Sequence, residues 1–572
     1  MYLVGVSKKD ITAFVKGVGM MGYGMWFNKV QGVETPIYAR AFVIEQEVSK
    51  KKVAYVNAEI CFITIAIKKE VVKRLQTLHP EFNYTEENVF LSAQHTHSAA
   101  GGYSHYALYN MSVPGFVYEV FEKYVSGITQ AIIEATQNKK PGKLSVSKGN
   151  FEPNKELAIN RTVKAWNQNP EVEKLTEETN HLGVDTEMTL LNFLDEQNNF
   201  IGSINWFGVH TTSVHNDNKK ICSDNKGYAA AYMEQYFQAE NKNYIAAFAQ
   251  RACGDISPNY FWDNKKKWTR GKFESCFESA AYNGKLQFEK AKELALDKNQ
   301  KNISGDIDYA LMYVDFSNVH VDIEFAHGVK NARTDLSCHG VAFFAGTVEG
   351  PGMPPFLVKA SRYLAIRVKR KELKRLHRLP AEEQEKIKRK YETQGNKDIL
   401  IETGDRKILG THNVKGLPVP AFADPSLAAF KRFHRNGSLE DKPWIPQILP
   451  LHLVQVGQLA WVSVPGEITT VASWRLRDLM KDMLSEKGIE EVIICSYTDG
   501  FCGYFTTYEE YQVQCYEGGH TVFGEHQFGA LQTKYKQLAR QFLLPESQRN
   551  IDKQTQPPVF SDEEIRKRSF GK

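Results

Sequence analysis

In Gln94-His95-Thr96-His97-Ser98-Ala99-Ala100-Gly101-Gly102 two histidines stand two residues apart, just after the apolar run Val89-Phe90-Leu91. Residues i and i+2 of a strand share one face. Two imidazoles on one face suit a metal ligand with a proton-moving neighbour, although the pattern also occurs without any metal. Asn205-Trp206-Phe207-Gly208-Val209-His210 ends a second apolar run with a histidine, either structural or a further ligand, and His215 follows five residues on. Ala252-Cys253-Gly254-Asp255-Ile256-Ser257-Pro258-Asn259 places Ser257 before a proline, which keeps its backbone extended. It is not a G-x-S-x-G elbow, and by spacing alone Ser257 is a turn serine. Val464-Pro465-Gly466-Glu467-Ile468-Thr469-Thr470 joins a strand to a helix with Glu467 on the turn. There a carboxylate either ligates a metal or faces the helix dipole. Thr507 to Glu510 fits a capping box, so a helix starts there and Tyr504 lies in the loop before it. Gly17-Val18-Gly19-Met20-Met21-Gly22 matches G-x-G-x-x-G, but Tyr23-Gly24-Met25-Trp26-Phe27-Asn28 is no helix start. This segment is read as a glycine-rich loop packed close to another part of the chain, not as a nucleotide site.

These residues need a frame. Strand-like runs fall at 39–44, 52–56, 88–93, 201–207, 244–249 and 492–496, and helical periodicity at 65–78, 116–136, 227–237, 273–294 and 470–484. Leu451 to Val456 alternates, Gly457-Gln458 turns, and 459–464 returns, which spells a β-hairpin. The expected fold is α/β (mixed α+β): one large layered catalytic domain with mixed sheets over 1–545. No period of 20–50 residues recurs, which excludes a solenoid. A basic helical insertion spans 364–393. Within 367–392 there are 11 basic and five acidic residues, net +6, so the remainder of this +5 chain sums to about −1. Residues 364–379 read as one helix. Pro380 opens a second, with Glu382, Glu383 and Glu385 early and Lys386, Lys388, Arg389 and Lys390 late, matching the helix dipole. Such a hairpin is either simply solvated or touches an anionic lipid surface or an oligomer partner. Residues 546–572 read as a polar C-terminal extension.

Of the 572 residues, 42% are apolar and 24% charged, which excludes wholesale disorder and fibrous classes. The balance of 72 basic against 67 acidic residues calls for no nucleic-acid partner. The eight cysteines form no C-x-x-C pair, which argues against a disulfide scaffold or zinc ribbon. Two uncharged stretches, 88–118 and 443–466, are interrupted by histidines, paired glycines and prolines and are not membrane helices. Met1-Tyr2-Leu3-Val4-Gly5-Val6 lacks a signal-peptide core, so the expected compartment is the cytoplasm, or a secreted or periplasmic one if a leader was removed.

Taken together, several motifs resemble the neutral ceramidases: His95-Thr96-His97-Ser98, Gly254-Asp255-Ile256-Ser257-Pro258-Asn259, Pro465-Gly466-Glu467 with Thr469-Thr470, and Thr506-Thr507-Tyr508-Glu509-Glu510-Tyr511. Met20-Met21-Gly22-Tyr23, Ser223-Asp224-Asn225-Lys226-Gly227 and Phe344-Ala345-Gly346-Thr347 add to the resemblance, and all occur in family order. The resemblance implies a zinc-dependent amidase that cuts the N-acyl bond of ceramide into sphingosine and a fatty acid. It implies one Zn2+ per chain, held by His95, His210, Glu467 and Tyr504. Ser257 aligns with the serine usually assigned as nucleophile, and His97, Arg161 and Tyr516 with residues around the scissile amide. The chain departs from the family at Gln94, at Ala99-Ala100 and at Thr211, and it is expected to carry no C-terminal β-sandwich module. The alternatives are a zinc amidase or esterase for another N-acyl or acyl substrate, and a lipid-binding relative without turnover.

Overall fold

Runs of β-branched and aromatic residues build two sheets, each flanked by amphipathic helices. The structure is a computed structural model that describes residues 2–239, 243–413 and 425–570. Met1, Gly571 and Lys572, at the ends of the expected domain and extension, lie outside the described residues. The larger sheet has the order Ile245–Ala249, Phe200–Trp206, Glu187–Asp195, Lys140–Asn150, Tyr2–Asp10, Tyr38–Gln46, Lys52–Ala58, Val89–Ala93, with Lys301–Ile303 paired to Lys140–Asn150. Its middle is antiparallel, but the pair at each end is parallel. The second sheet runs Ile307–Asp315, Ile448–Val456, Leu459–Ser463, Glu491–Cys495, and its last pair is also parallel. Parallel neighbours need a crossover. The helices Ile65–Leu78, Asp224–Gln238 and Thr470–Leu484 supply the three.

The period of two along each strand decides what lies between the layers. In Ile448–Val456, Leu449, Leu451 and Leu453 pack with Leu476 and Leu538 of the flanking helices, whereas Val454 and Val456 face the larger sheet. Between the sheets, Tyr55 and Trp206 of one meet Trp461 of the other, with the Tyr55 and Trp461 rings 5.1 Å apart. On the far face of the larger sheet, Val120, Ile128 and Ala131 of the helix Tyr118–Gln137 cover Ala41, Val56 and Leu91. The result is a helix–sheet–sheet–helix stack, the mixed α/β body expected. Fully burying each of these Leu, Val or Ile side chains contributes about 1.5–3 kcal/mol.

The helices 65–78 and 470–484 have the bounds read from the sequence, while those expected at 116, 227 and 273 start at Tyr118, Asp224 and Cys276. The first basic helix differs more. It runs Pro355–Arg375, nine residues earlier than expected, because Pro355 at its first position has φ preset for a helix. The second runs Ala381–Gln394. Among the described residues no helix is long and apolar enough to cross a membrane. The segment after the helix Gln527–Leu543 returns to the body: Phe560 is buried, and the Arg568 guanidinium donates to the carbonyls of His105 and Ser438 at 2.8 and 2.5 Å.

Asp499 fastens the sheets together next to the site. Its carboxylate accepts the Leu91 N–H and the buried Lys68 ammonium, both at 3.0 Å, and stands 2.7 Å from His452 Nδ1. Burial opposes this charge, but Lys68 and His452 hold the Asp499 pKa below its ordinary value. The carboxyl ends of the parallel strands of both sheets are thereby brought together, the usual place for a site in such sheets.

Candidate metal centre and active site

His95 follows the strand Val89–Ala93 by two residues, with φ at +78°. The strand has therefore ended before the two histidines, and the shared-face reading of His95 and His97 is not what aligns them. The turn aligns them instead: their Nε2 atoms lie 3.0 Å apart and their rings meet edge to face. His210 follows the strand Phe200–Trp206 by four residues. Glu467 lies on a short strand, Glu467–Ile468, paired in parallel with Tyr504–Phe505. Neither Glu467 nor Tyr504 is thus in a loop, and the pairing sets them side by side. Helix Thr470–Leu484 starts only after this strand, so Glu467 is not its first-turn carboxylate.

His95, His210 and Glu467 are buried and converge: Glu467 Oε2 lies 3.4 Å from His95 Nε2 and 3.2 Å from His210 Nε2. Ligands about 2.0–2.1 Å from a tetrahedral ion stand about 3.3 Å from one another, so these spacings suit one ion. The far side of each imidazole is already committed. His95 Nδ1 lies 2.7 Å from the Cys61 carbonyl, and His210 Nδ1 lies 2.5 Å from the Cys253 carbonyl. A carbonyl accepts only, so Nδ1 carries the proton and the Nε2 lone pair is left for a metal, the outer-shell arrangement usual for ligating histidine. Cys61, His95 and His97 form a second group. Its thiol lies on the Nδ1 side of His95, 3.6 Å away, where the Cys61 carbonyl is already bound. The donor set at Glu467 therefore fits a metal better.

Electrostatics agree with that choice. Burial pushes the His95 pKa down, against the pull of Glu467, and the His97 pKa well down. Burial also works against a charged His210, but Cys253 and the hydrogen bond to Glu467 raise it to about 10. Burial opposes the Glu467 carboxylate too, yet His95 and His210 hold its pKa well below the ordinary value. His210 thus shares a proton with Glu467, and a bound cation takes that proton's place.

The remaining expected residues form a connected wall. Arg161 Nη2 donates to the Tyr504 hydroxyl at 2.9 Å and to the Gly254 carbonyl at 2.8 Å, Nη1 donates to Glu349 at 2.7 Å, and Nε to Glu517 at 3.0 Å. Its guanidinium lies 5.6 Å from the centre of the Tyr516 ring, which meets Tyr504 edge to face. Ser257 sits on the short strand Ile256–Ser257, extended as the following proline requires, and its hydroxyl donates to Glu349. The glycine-rich loop packs as expected from its composition: at Gly22, φ +128°, an added Cβ would stand 2.7 Å from Cδ2 and Nδ1 of His97. His215 takes no part in the cluster and packs beside Trp268, 5.6 Å between ring centres.

Residues that sequence reasoning missed complete the site. Tyr497 stacks on His95 with ring centres 4.0 Å apart and donates to Glu467 Oε2 at 3.1 Å. Glu349 binds both Arg161 and Ser257. It lies two residues past Phe344-Ala345-Gly346-Thr347, in a glycine-rich turn that advertises a loop but not a buried carboxylate.

The sequence profile of a family described as "Neutral/alkaline non-lysosomal ceramidase, N-terminal" matches residues 2–419 and 433–533. The chain belongs to the neutral ceramidase family. The neutral ceramidase of Pseudomonas aeruginosa is 32% identical over 546 residues, 94% of this chain and 72% of the relative. Neutral ceramidase A of Dictyostelium discoideum is 32% identical, covering 100% of this chain and 78% of that one. A solved structure described as "Ceramidase complexed with C2" superposes with a TM-score of 0.79 at 30% identity, over 98% of this chain and 77% of that one. The crystal structure of the Pseudomonas aeruginosa enzyme gives 0.74 at 30% identity, over 94% of this chain and 74% of that one. The layered fold is thus that of a ceramidase, and the histidine–carboxylate cluster sits at the junction of its two sheets.

Proposed function

We propose that this chain cleaves the amide bond of ceramide into sphingosine and a fatty acid at the His95, His210, Glu467 and Tyr504 centre, with one Zn2+ as its ion. Ceramide hydrolysis is the activity of the family, and the chain is a hydrolase of amide bonds. The choice of zinc rests on one observation: two buried imidazoles spend Nδ1 on backbone carbonyls and face one carboxylate oxygen at 3.4 and 3.2 Å. Nitrogen and oxygen donors in that number suit zinc, with Tyr504 beside Glu467 as the fourth ligand. When bound, the ion would polarise the scissile carbonyl and acidify an oxygen nucleophile.

The chain's own residues have separable tasks in this reading. Ser257 is the nucleophile, and its proton must finish on the leaving amine. His97, kept neutral by burial, has an unpartnered Nδ1 and is suited to carry that proton. Arg161 and Tyr516, 5.6 Å apart, would stabilise the carbonyl oxygen as it gains charge. Purified protein should hydrolyse ceramides faster than simple N-acyl amides and contain about one zinc per chain. Faster turnover of a non-sphingoid amide or ester would replace the substrate, and binding without turnover would make the chain a lipid binder. Ser257→Ala should keep metal and fold but lose on the order of 10³-fold in kcat. Near-normal turnover would leave Ser257 a positioning residue.

Lipid contact belongs to the same reading. On the helix Pro355–Arg375, Phe356 is 69% and Tyr363 64% exposed, with Leu364 and Ile366 also exposed. Arg367, Arg370, Lys371, Lys374 and Arg375 are exposed too and form no ion pair among the described residues. Cations of the second helix are spent internally: Lys386 on Asp405 at 2.7 Å, Arg389 on Asp335 at 3.1 Å and Lys390 on Glu402 at 3.0 Å. The proposed contact with an anionic membrane therefore narrows from 367–392 to 355–378.

A further inference from the structure

Glu349 holds a buried charge that the reaction as drawn so far does not use. It occupies the tip of a tight hairpin in which Gly346–Thr347 pairs with Gly350–Pro351. Its neighbour Val348 is 43% exposed, whereas Glu349 is 3% exposed. The hairpin is clamped from outside, since the Val348 carbonyl accepts the Thr269 N–H at 2.8 Å. Burying a lone carboxylate costs several kcal/mol unless partners satisfy it.

Here both carboxylate oxygens are bonded. Oε1 accepts the Ser257 hydroxyl, the Thr212 hydroxyl at 2.9 Å and Asn259 Nδ2 at 3.2 Å. Oε2 accepts Arg161 Nη1 at 2.7 Å. An ionised carboxylate has about four acceptor sites and no proton to give. Burial works against the charge, but the Arg161 guanidinium bonded to Oε2 holds the Glu349 pKa below its ordinary value, so the carboxylate is ionised. Ser257 must therefore be the donor in its bond to Glu349. Its oxygen also accepts the Asn259 N–H at 2.9 Å. A hydroxyl has one proton and two lone pairs, so both bonds together fix the direction of the remaining lone pair.

We propose that Glu349 is a positioning residue for amide cleavage: one carboxylate oxygen orients the Ser257 hydroxyl, and the other pins the Arg161 guanidinium that reaches Tyr504. The proposal rests on Ser257 being the nucleophile. Its chemical signature is that both oxygens must be acceptors. Glu349→Gln has nearly the same shape but only one. If its amide oxygen faces Ser257, its NH2 opposes Arg161. If the amide flips, Ser257 receives a hydrogen bond instead and turns its proton toward the Asn259 carbonyl, 3.3 Å away. Either arrangement spoils one of the two alignments.

The test combines kcat, KM, metal content and the rate at which a fluorophosphonate labels Ser257, in wild type, Glu349→Gln, Glu349→Asp, Ser257→Ala and Ser257→Ala/Glu349→Gln. Glu349→Gln should retain its metal, keep KM within about twofold and lose about 10²-fold in kcat, the scale of a reacting group misplaced by 1 Å. Ser257 labelling should slow in parallel. Glu349→Asp keeps the charge on a shorter arm and should lose less. On the Ser257→Ala background, Glu349→Gln should cost at most a small residual factor, because residues acting as a unit are not additive. A labelled wild type together with undiminished rates in both Glu349 variants overturns the role of Glu349 alone, as does full multiplication of the two losses. An unlabelled wild type with an active Ser257→Ala overturns the nucleophile assignment and, with it, this proposal.

Discussion

Replacing Gly22 by alanine should disable His97 without replacing a metal ligand. The His97 ring is held between the Gly22 backbone and His95, whose Nε2 lies 3.0 Å from its own. Tyr23 lies edge-on at 4.6 Å and closes another side. An alanine Cβ would stand 2.7 Å from Cδ2 and Nδ1 of that ring. Carbon contacts settle near 3.5–4.0 Å, so the ring must retreat by about 1 Å. A shift of that size in a proton-carrying group costs about 10²-fold in rate. The backbone adds its own strain, because φ of +128° is a region that L-residues avoid, at about 1–3 kcal/mol. The expected Gly22→Ala enzyme therefore melts a little earlier, retains its metal and loses about 10²-fold in kcat. Steady-state kinetics on a short-chain ceramide, with metal content and Tm from the same preparation, check this. A folded, metal-loaded Gly22→Ala protein with wild-type kcat would refute the reasoning, because His97 would then have no part near the reacting atoms.

Other consequences are equally direct. His210→Ala leaves Glu467 facing His95 alone and should strip both metal and activity, measured by elemental analysis after dialysis; retained metal would exclude His210 as a ligand. Changing Arg370, Lys371, Lys374 and Arg375 together to serine should weaken binding to anionic vesicles at low salt by about 1 kcal/mol per charge, while short-chain turnover stays normal. Equal vesicle binding would make the helix a merely solvated one. Lys397 is buried, donating to the Cys338 and Thr521 carbonyls at 3.1 and 2.5 Å, and burial lowers its pKa to about 7. Its unfolded pKa is about 10.4, so between these values the unfolded chain binds the extra proton and stability rises with pH. Lys226 is lowered likewise to about 7, so Lys397→Met should remove only part of the rise in Tm from pH 7 to 9, and an unchanged rise would count against the assignment.

The sequence by itself determined the elements and the cast of the site. Period-two and period-3.6 patterns are local, set by which side of a strand or helix meets water, so 65–78, 470–484 and the hairpin turning at Gly457 stand where the pattern put them. Motifs matched to a family named His95, His97, Arg161, Ser257, His210, Glu467, Tyr504 and Tyr516, and the fold gathers all eight into one connected cluster. The tertiary structure decided how they meet. His95 and His97 do not share a strand face; a turn at φ +78° aligns them, and Cys61 and Cys253 bind the two imidazoles through their backbone carbonyls, which no side-chain pattern reveals. Glu349 and Tyr497 reach the site from segments far along the chain, and the energy that places them comes from packing two sheets together. Their own neighbours in sequence carry no sign of it, because burial, which turns an ordinary loop glutamate into a fully bonded buried charge, is a property of the assembled layers alone.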